Sequence, residues 1–312
     1  PVAWIDHVAN FFTPRGYVVV LQDIRGRAHS EGSGEYLHAS NPSEGLDGYD
    51  TIEWIAQQDW SNGKIGTVGT SHGGIVQTAL ALHRPPHLTA MWTDMSPINT
   101  YNYAREGGAM TLFMFGALLL HAHDAQELEN NSVGRRVILD AMENLREVIL
   151  KMPFKPGHTA LAVVPNLERM LFEYYYRGAY DDFWAQEAHD SARIIHRHAD
   201  VPITISSGWF DAILGECHRY YTLISKQNTS STRLLFGPWS HYTMRGEGTS
   251  FCGDVDFGPE SKWGDTVYNA ERLRWFDRWL KDVPTGVDEE PPVNIFVMGG
   301  GNGQRNEAGH LN

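Results

Sequence analysis

Cysteine is scarce in this chain: two residues in 312, Cys217 and Cys252, with no CxxC spacing. That excludes a disulfide framework and leaves two free thiols as the reading. Basic residues are also few, 25 Lys and Arg against 38 Asp and Glu, for a net charge of −13, and they form no dense block. This argues against nucleic acid or an anionic membrane surface as a partner. Long apolar runs are missing too. The longest, "AMTLFMFGALLL" (109–120), falls short of the ~20 residues that span a bilayer and predicts a buried helix. No internal repeat or low-complexity tract occurs. A starting methionine is lacking as well: the chain opens "PVAWID" and closes "GHLN". It is read as a piece cut at both ends, so that a signal peptide is not legible, with the cytoplasm preferred over export.

What is present is enough apolar material for a large core, 42% of residues, and a length that suggests about two domains. "GYVVVLQDIRG" (16–26) is a β-branched run between glycines and predicts a buried strand. "GLDGYDTIEWIAQQDW" (45–60) has helical spacing. "GKIGTVGTS" (63–71), "HGGIVQTALALHR" (72–84) and "HLTAMWTDMSP" (87–97) then read as strand, helix and strand. The alternation resumes with strands at "VPITISSGWFD" (201–211) and "TRLLFGPWSH" (232–241), followed by the amphipathic helix "TVYNAERLRWFDRWLKD" (266–282). Such alternation implies an α/β class with a doubly wound, mostly parallel sheet. Between the two blocks, 98–199 is rich in Met, Tyr and His and mainly helical in pattern. It is read as a helical cap inserted near the sheet's C-terminal edge, where ligands of open α/β sheets bind. The core is therefore 1–97 with 200–285, the cap 98–199. "VNIFVMG", after a Pro- and Gly-rich linker, opens a further β domain at 291–312.

The chemistry begins at "GTVGTSHGGI" (66–75). Ser71 stands in G-x-S-x-G, after a strand and before a helix. A sharp strand-to-helix turn exposes such a serine, and Gly69 and Gly73 are small because strand and helix nearly touch there. The backbone N–H of His72 then points toward an oxyanion. A serine hydroxyl needs a histidine base and a carboxylate behind it, in the order serine, acid, histidine for this arrangement. The later strand ends "SSGWFD" and "FGPWSH" offer Asp211 and His241. Asp94 also follows a strand and is the rival acid. The His72 side chain leaves the turn away from the serine. His121, His123 and Asp124 resemble a metal cluster, but i, i+2 spacing on a helix faces opposite sides, so no metal is expected. Asp23, Arg25, Ser30 and Glu31 in "DIRGRAHSEG" either line the site or fix their own loop. Glu216 and His218 are read as scaffold or surface.

Several segments in order, "QDIRGRAHSEG", "GTSHGG", "GWFDAILGE", "FGPWSH", "RWFDRWLKD" and "PPVNIFVMGG", resemble the cocaine-esterase-like (CocE/NonD) hydrolases. These are relatives of the Xaa-Pro dipeptidyl-peptidases and α-amino-acid ester hydrolases. The resemblance covers nearly the whole chain, least of all 98–199. It implies an α/β-hydrolase core, a helical cap and a C-terminal β jelly roll. It likewise implies Ser71 as nucleophile, Asp211 as acid and His241 as base. The family's second oxyanion donor, a tyrosine upstream of the "DIRG" strand, lies before this chain starts. Two departures stand out. His72 replaces the aromatic residue common after the serine. Ala212, Ile213 and Leu214 replace the acidic residues that pair a substrate ammonium in the α-amino-acid ester hydrolases, and an unpaired buried ammonium is costly.

The expectation is a serine hydrolase that needs no cofactor or metal and cleaves a small-molecule ester or peptide through an acyl-enzyme. An esterase is preferred over a Xaa-Pro dipeptidyl-peptidase or α-amino-acid ester hydrolase. A non-catalytic binding or scaffold protein on the same fold is the alternative of another class.

Overall fold

A computed structural model describes residues 6–32, 43–241, 243, 246–299, 301–307 and 309–310. In chain order, α1 (Asp6–Phe12) and α2 (Ser43–Ala56) precede β1 (Ile65–Thr70), α3 (His72–Ala81) and β2 (Leu88–Asp94). Helices follow: α4 (Thr100–Ala104), α5 (Leu112–Ala122), α6 (Ser132–Glu143), α7 (Leu145–Ile149) and α8 (Pro165–Tyr176). Alternation then resumes with β3 (Ile203–Gly208), α9 (Leu214–Gln227) and β4 (Thr232–Gly237). A short antiparallel pair, β5 (Phe251–Cys252) and β6 (Val255–Asp256), leads to α10 (Asp265–Leu280) and β7 (Val293–Ile295).

The chain divides into two compact units. One is Asn99–Asp190 with Leu21–Glu44; the other comprises Val2–Val20, Gly45–Ile98 and Ser191–Asn312. The second holds the sheet, in the order β1-β2-β3-β4-β7 with every neighbouring pair parallel. β3 and β4 are buried at every position, which is why they read as continuous apolar runs rather than alternating ones. Helices cover both faces. On one, α10 turns Tyr268, Trp275, Phe276 and Leu280 inward onto Ala90 and Trp92 of β2 and Leu235 of β4, joined by Phe12 of α1. Those α10 positions repeat at helical spacing and form one stripe. Met91, between Ala90 and Trp92, points to the opposite face by strand alternation and is fully buried there.

In the helical unit, α5 buries Met114, Phe115, Leu118, Leu119 and Ala122 on one stripe. This is the buried helix expected of the longest apolar run. The helical pattern from 130 to 152 divides at Asn144, whose φ of −114° and ψ of 34° break α6 from α7. The two cysteines are free, Cys217 buried and Cys252 partly so. Among the described residues no helix is long and apolar enough to cross a membrane.

Three expectations change. The run 16–26 is not a strand: Tyr17–Ile24 carries no strand assignment. Its alternation is nevertheless one-sided, with Tyr17 and Val19 packed on the core while Val18 is 58% exposed. β-branched residues favour extended backbone, but a strand exists only through a ladder with a neighbour, and this segment has none among the described residues. The second change concerns 291–312. Val293–Ile295, expected to open a separate β domain, instead pairs with Leu234–Phe236 as the last strand of the main sheet. The N–H of Leu234 donates to Pro292 O (2.7 Å) and that of Phe296 to Phe236 O (2.7 Å). Glu290 ties the incoming linker down by pairing with Arg233 (2.7 Å) and with Arg274. Ser191–Ala199, grouped with the helical stretch in the sequence, belongs to the sheet unit, where Ala199 N–H donates to Ala81 O (2.9 Å).

Candidate active site

Parallel strands bring their C-terminal ends to one edge. The registers Thr70↔Asp94, Asp94↔Ser206 and Gly208↔Gly237 align the ends of β1 to β4. Ser71, the turn before Asp211 and the turn before His241 all leave from that edge.

Ser71 is the single residue between β1 and α3, with φ 60° and ψ −120°. A positive φ is strained for a residue with a side chain and persists only where the surroundings fix it. Here the Ser71 N–H donates to Asp94 O (2.9 Å), and the Ser71 carbonyl accepts from the N–H groups of Gly74 (2.8 Å) and Ile75 (3.1 Å). A Cβ on Gly69 would sit 2.6 Å from the Gly73 carbonyl oxygen, so strand and helix do nearly touch. Gly73 itself is different: a Cβ there meets nothing within 4 Å. The second tight position is Gly74, whose Cβ would lie 2.5 Å from the Ser96 side chain. Gln77 adds a staple. Its amide nitrogen donates to Gly69 O (3.3 Å) and Gly73 O (3.0 Å), and its oxygen accepts from the Thr67 hydroxyl (2.8 Å). His72 is the first residue of α3, so its N–H has no acceptor within the helix.

The second corner is shaped by glycine and tryptophan. Beyond β3 and β4 the two turns cross so closely that a Cβ on Gly208 would stand 2.0 Å from Trp239 O. A Cβ on Gly237 would stand 2.3 Å from the Trp239 ring. Main-chain bonds run across the crossing, from Trp209 N–H to Gly237 O (2.8 Å) and from Phe210 N–H to Trp239 O (3.0 Å). The indole N–H of Trp239 donates to Ser261 O (2.8 Å). The crossing delivers Asp211 to His241: Oδ2 lies 2.7 Å from Nδ1, and both residues are buried. Asp211 Oδ1 accepts the Ile213 N–H (2.7 Å), which fixes the carboxylate's orientation. A carboxylate oxygen accepts, so the contact assigns the imidazole proton to Nδ1 and leaves Nε2 as the basic nitrogen.

Asp94, the rival acid, is engaged elsewhere. Fully buried, it accepts from Trp92 Nε1 (2.7 Å), Ser206 Oγ (2.5 Å) and Arg272 Nη2 (2.6 Å). Burial pushes the Asp94 carboxyl up from the ordinary carboxylate range against the pull of Arg272, and it pushes Arg272 down. Asp124 pairs with Arg27 (3.1 Å), which also donates to His121 O. Among the described residues no three His, Cys, Asp or Glu side chains gather as a metal would require. The "DIRGRAHSEG" loop is held from within: Ser30 Oγ donates to Asp23 O (2.5 Å) and Gly26 N–H to Glu31 O (3.1 Å). Glu216 is buried on α9 with Arg219 3.8 Å away, and His218 is exposed.

Sequence reasoning passed over Gln77, Ser206, Arg272 and Trp239. Arg272 did carry a signal, since it lies on the apolar stripe of α10, four residues after Tyr268 and three before Trp275. A charged residue there demands a buried partner.

Comparison with known proteins identifies the family. The sequence pattern of the X-Pro dipeptidyl-peptidase (S15 family) matches residues 3–243. The cocaine esterase of Rhodococcus sp. (strain MB1 Bresler) is 27% identical over 306 residues, covering 95% of this chain and 51% of the esterase. Among solved structures, an aminopeptidase from a marine sediment archaeon, Thaumarchaeota archaeon, superposes with a TM-score of 0.63 at 19% identity. It covers 98% of this chain and 49% of the aminopeptidase. An α-amino acid ester hydrolase does so with a TM-score of 0.63 at 22% identity, over 93% of this chain and 47% of that one. The chain thus spans about half the length of the relatives it matches. The sheet order, the helices on both faces and these neighbours make the fold an α/β-hydrolase fold, and the chain belongs to the X-Pro dipeptidyl-peptidase (S15) family.

Proposed function

We propose that this chain carries the catalytic site of a serine hydrolase that cleaves esters or amides through an acyl-enzyme. The observation behind the reading is the buried Asp211–His241 contact of 2.7 Å, at the sheet edge from which the Ser71 elbow also leaves. In this reading His241 Nε2 takes the Ser71 hydroxyl proton while Oγ bonds to the substrate carbonyl carbon. The carbonyl electron pair moves to oxygen and is met by the His72 N–H. His241 then passes its proton to the leaving alcohol or amine as that bond breaks, leaving an ester on Ser71. Water repeats the sequence with His241 as base and frees the acid. Asp211 holds the ring in the Nδ1–H tautomer and stabilises the imidazolium. The reaction is proposed to run in the unit that holds the sheet, with no cofactor and a small-molecule ester or peptide as substrate.

An esterase is preferred within this class. Ala212, Ile213 and Leu214 follow Asp211 where a carboxylate would pair a substrate ammonium, and Ile213 is buried. The family supplies the second reading, an X-Pro dipeptidyl-peptidase. A fluorophosphonate probe on the full-length protein should label Ser71, and Ser71→Ala should abolish labelling and lower kcat/KM by roughly three decades or more. Labelling elsewhere, or more than a tenth of activity retained, overturns the assignment. Parallel assays with aryl acetates and Ala-Pro anilides separate the two readings, and an inert ester series rejects the esterase.

A further inference from the structure

We infer that the buried Asp94–Arg272 pair is the positioning device for Ser71, an inference that rests on the nucleophilic role proposed for that serine. A left-handed serine between a strand and a helix has to be held by its neighbours. The Ser71 N–H is anchored on one atom, the Asp94 carbonyl oxygen, 2.9 Å away. That anchor stands on strained ground of its own. Met95, the next residue, has φ 47°, and its N–H donates to Ser206 O (2.8 Å). Two left-handed non-glycine residues therefore flank a single peptide group, and something must fix its orientation.

The Asp94 side chain does so. Its oxygens collect donors from three strands and a helix: Thr70 Oγ1 (3.4 Å) on β1, Trp92 Nε1 on β2, Ser206 Oγ on β3 and Arg272 Nη2 on α10. Thr70 immediately precedes Ser71. Arg272 is itself aimed, with Nη2 also donating to Tyr268 OH (2.6 Å) and its guanidinium carbon 3.6 Å from the centre of the Tyr268 ring. Ser96, just beyond Met95, packs against Gly74, and its carbonyl accepts the Cys217 thiol of α9 (3.6 Å). The stretch Asp94–Met95–Ser96 thus braces the elbow at both its strand and its helix side. An apolar pair of equal volume fills the same space and is often no less stable than a buried ion pair, but it has no direction. Four donors converging on one carboxylate fix how the Asp94 carbonyl faces the Ser71 N–H. The pair is a positioning pair and not a catalytic one.

The test separates direction from stability. Asp94→Asn, Arg272→Met and Arg272→Lys are compared in the full-length protein with the double variant Asp94→Leu/Arg272→Leu. Amide hydrogen exchange in 66–75 should accelerate about tenfold in the first two while 232–237 keeps its protection. Fluorophosphonate labelling of Ser71 should slow at least about tenfold, as expected of a nucleophile displaced by a fraction of an ångström. Arg272→Lys should recover part of both. The double variant should regain part of the melting temperature that the single variants lose, yet keep the fast elbow exchange and slow labelling. Should it regain all three, or should elbow exchange be unchanged in the single variants, the pair is only structural and the inference falls. If the single variants do not fold, Thr70→Val and Ser206→Ala each remove one donor and should give smaller accelerations at 66–75; none at all overturns it. A wild-type protein that is not labelled at Ser71, with the exchange effects intact, defeats the nucleophile reading instead and leaves the brace standing.

Discussion

Around Ser71 the backbone is held by polar atoms: a Gln77 amide bonded to two carbonyls, an Asp94 carbonyl on the serine N–H, and an ion pair beneath. Around Asp211 and His241 it is held by shape. Gly208 and Gly237 remove side chains so that Trp239 can cross, and main-chain bonds close the crossing. The two corners have different tasks. The elbow must maintain one residue at an unfavourable φ, which takes directional bonds. The acid–base corner must bring two loops from neighbouring strands within hydrogen-bond reach, which takes the removal of volume. A polar substitution should therefore disturb the first corner and a steric one the second.

The largest effect should come from the side-chain contact between Asp211 and His241 in the steric corner. Asp211→Asn keeps the volume but lets an amide N–H face His241 Nδ1. The ring then takes its proton on Nε2 and cannot accept one from Ser71. Turnover should fall by about four decades with the fold intact, checked by steady-state kinetics beside circular dichroism. A mild loss would mean that the 2.7 Å contact does not set the tautomer.

Next comes steric intrusion. Gly208→Ala places a methyl group 2.0 Å from a backbone oxygen that has no rotamer to escape with. A loss of about 3 kcal/mol in chemical denaturation is expected, together with loss of activity as the Asp211 and His241 turns separate. Unchanged stability would show that the crossing yields easily.

A smaller and pH-dependent effect links the helices behind the corners. His198 is buried, with Nδ1 2.7 Å from Ala199 O and Nε2 2.9 Å from Tyr220 OH. The Tyr220 hydroxyl in turn accepts from Thr78 (3.3 Å), so the chain runs from α9 behind Asp211 to α3 behind Ser71. A carbonyl only accepts, so Nδ1 carries the proton and Nε2 takes the Tyr220 hydroxyl hydrogen. Burial lowers the His198 pKa from 6.5 to about 4. The unfolded chain therefore binds a proton at this site below pH 6.5 that the folded one refuses. Stability is complete above that pH and declines as pH falls toward 4, by roughly 2 kcal/mol at pH 5. Urea midpoints from pH 7 to pH 5 should show this slope in the wild type and lose that share of it in His198→Gln. Equal slopes would remove His198 from the account.

Legibility in the sequence follows the same division. β2, β3 and β4 could be read because buried parallel strands are continuous apolar runs. Asp211 and His241 could be set at strand ends because each follows such a run, whereas Ser71 was legible from its G-x-S-x-G pattern. The segment 17–24 has the same composition and is no strand, because pairing is a property of the neighbour and composition is not. Val293–Ile295 was legible as a strand but not as a member of the main sheet, for the same reason. Arg272 reaches Asp94 across 178 positions. Nothing local announces such a partner, although a charge on an apolar stripe does announce the need for one.

The smallest effect is that of Gly73→Ala, and it is read against Gly69→Ala, since the sequence treats the two glycines of the motif as equivalent and the structure does not. Gly69→Ala drives a methyl group toward the Gly73 carbonyl, 2.6 Å away, and must open the elbow. A cost of about 2 kcal/mol and a clear loss of Ser71 labelling are expected. Gly73→Ala meets nothing within 4 Å, and Gly73 lies in the first turn of α3 with no left-handed φ to relieve. Alanine is the better helix former by up to about 1 kcal/mol, so stability should be unchanged or slightly raised. Any fall in turnover at Gly73→Ala would then come from the methyl group meeting a substrate rather than the protein. An increase in KM with an unchanged rate of fluorophosphonate labelling would show that directly, and a melting temperature as low as that of Gly69→Ala would return both glycines to a single steric role.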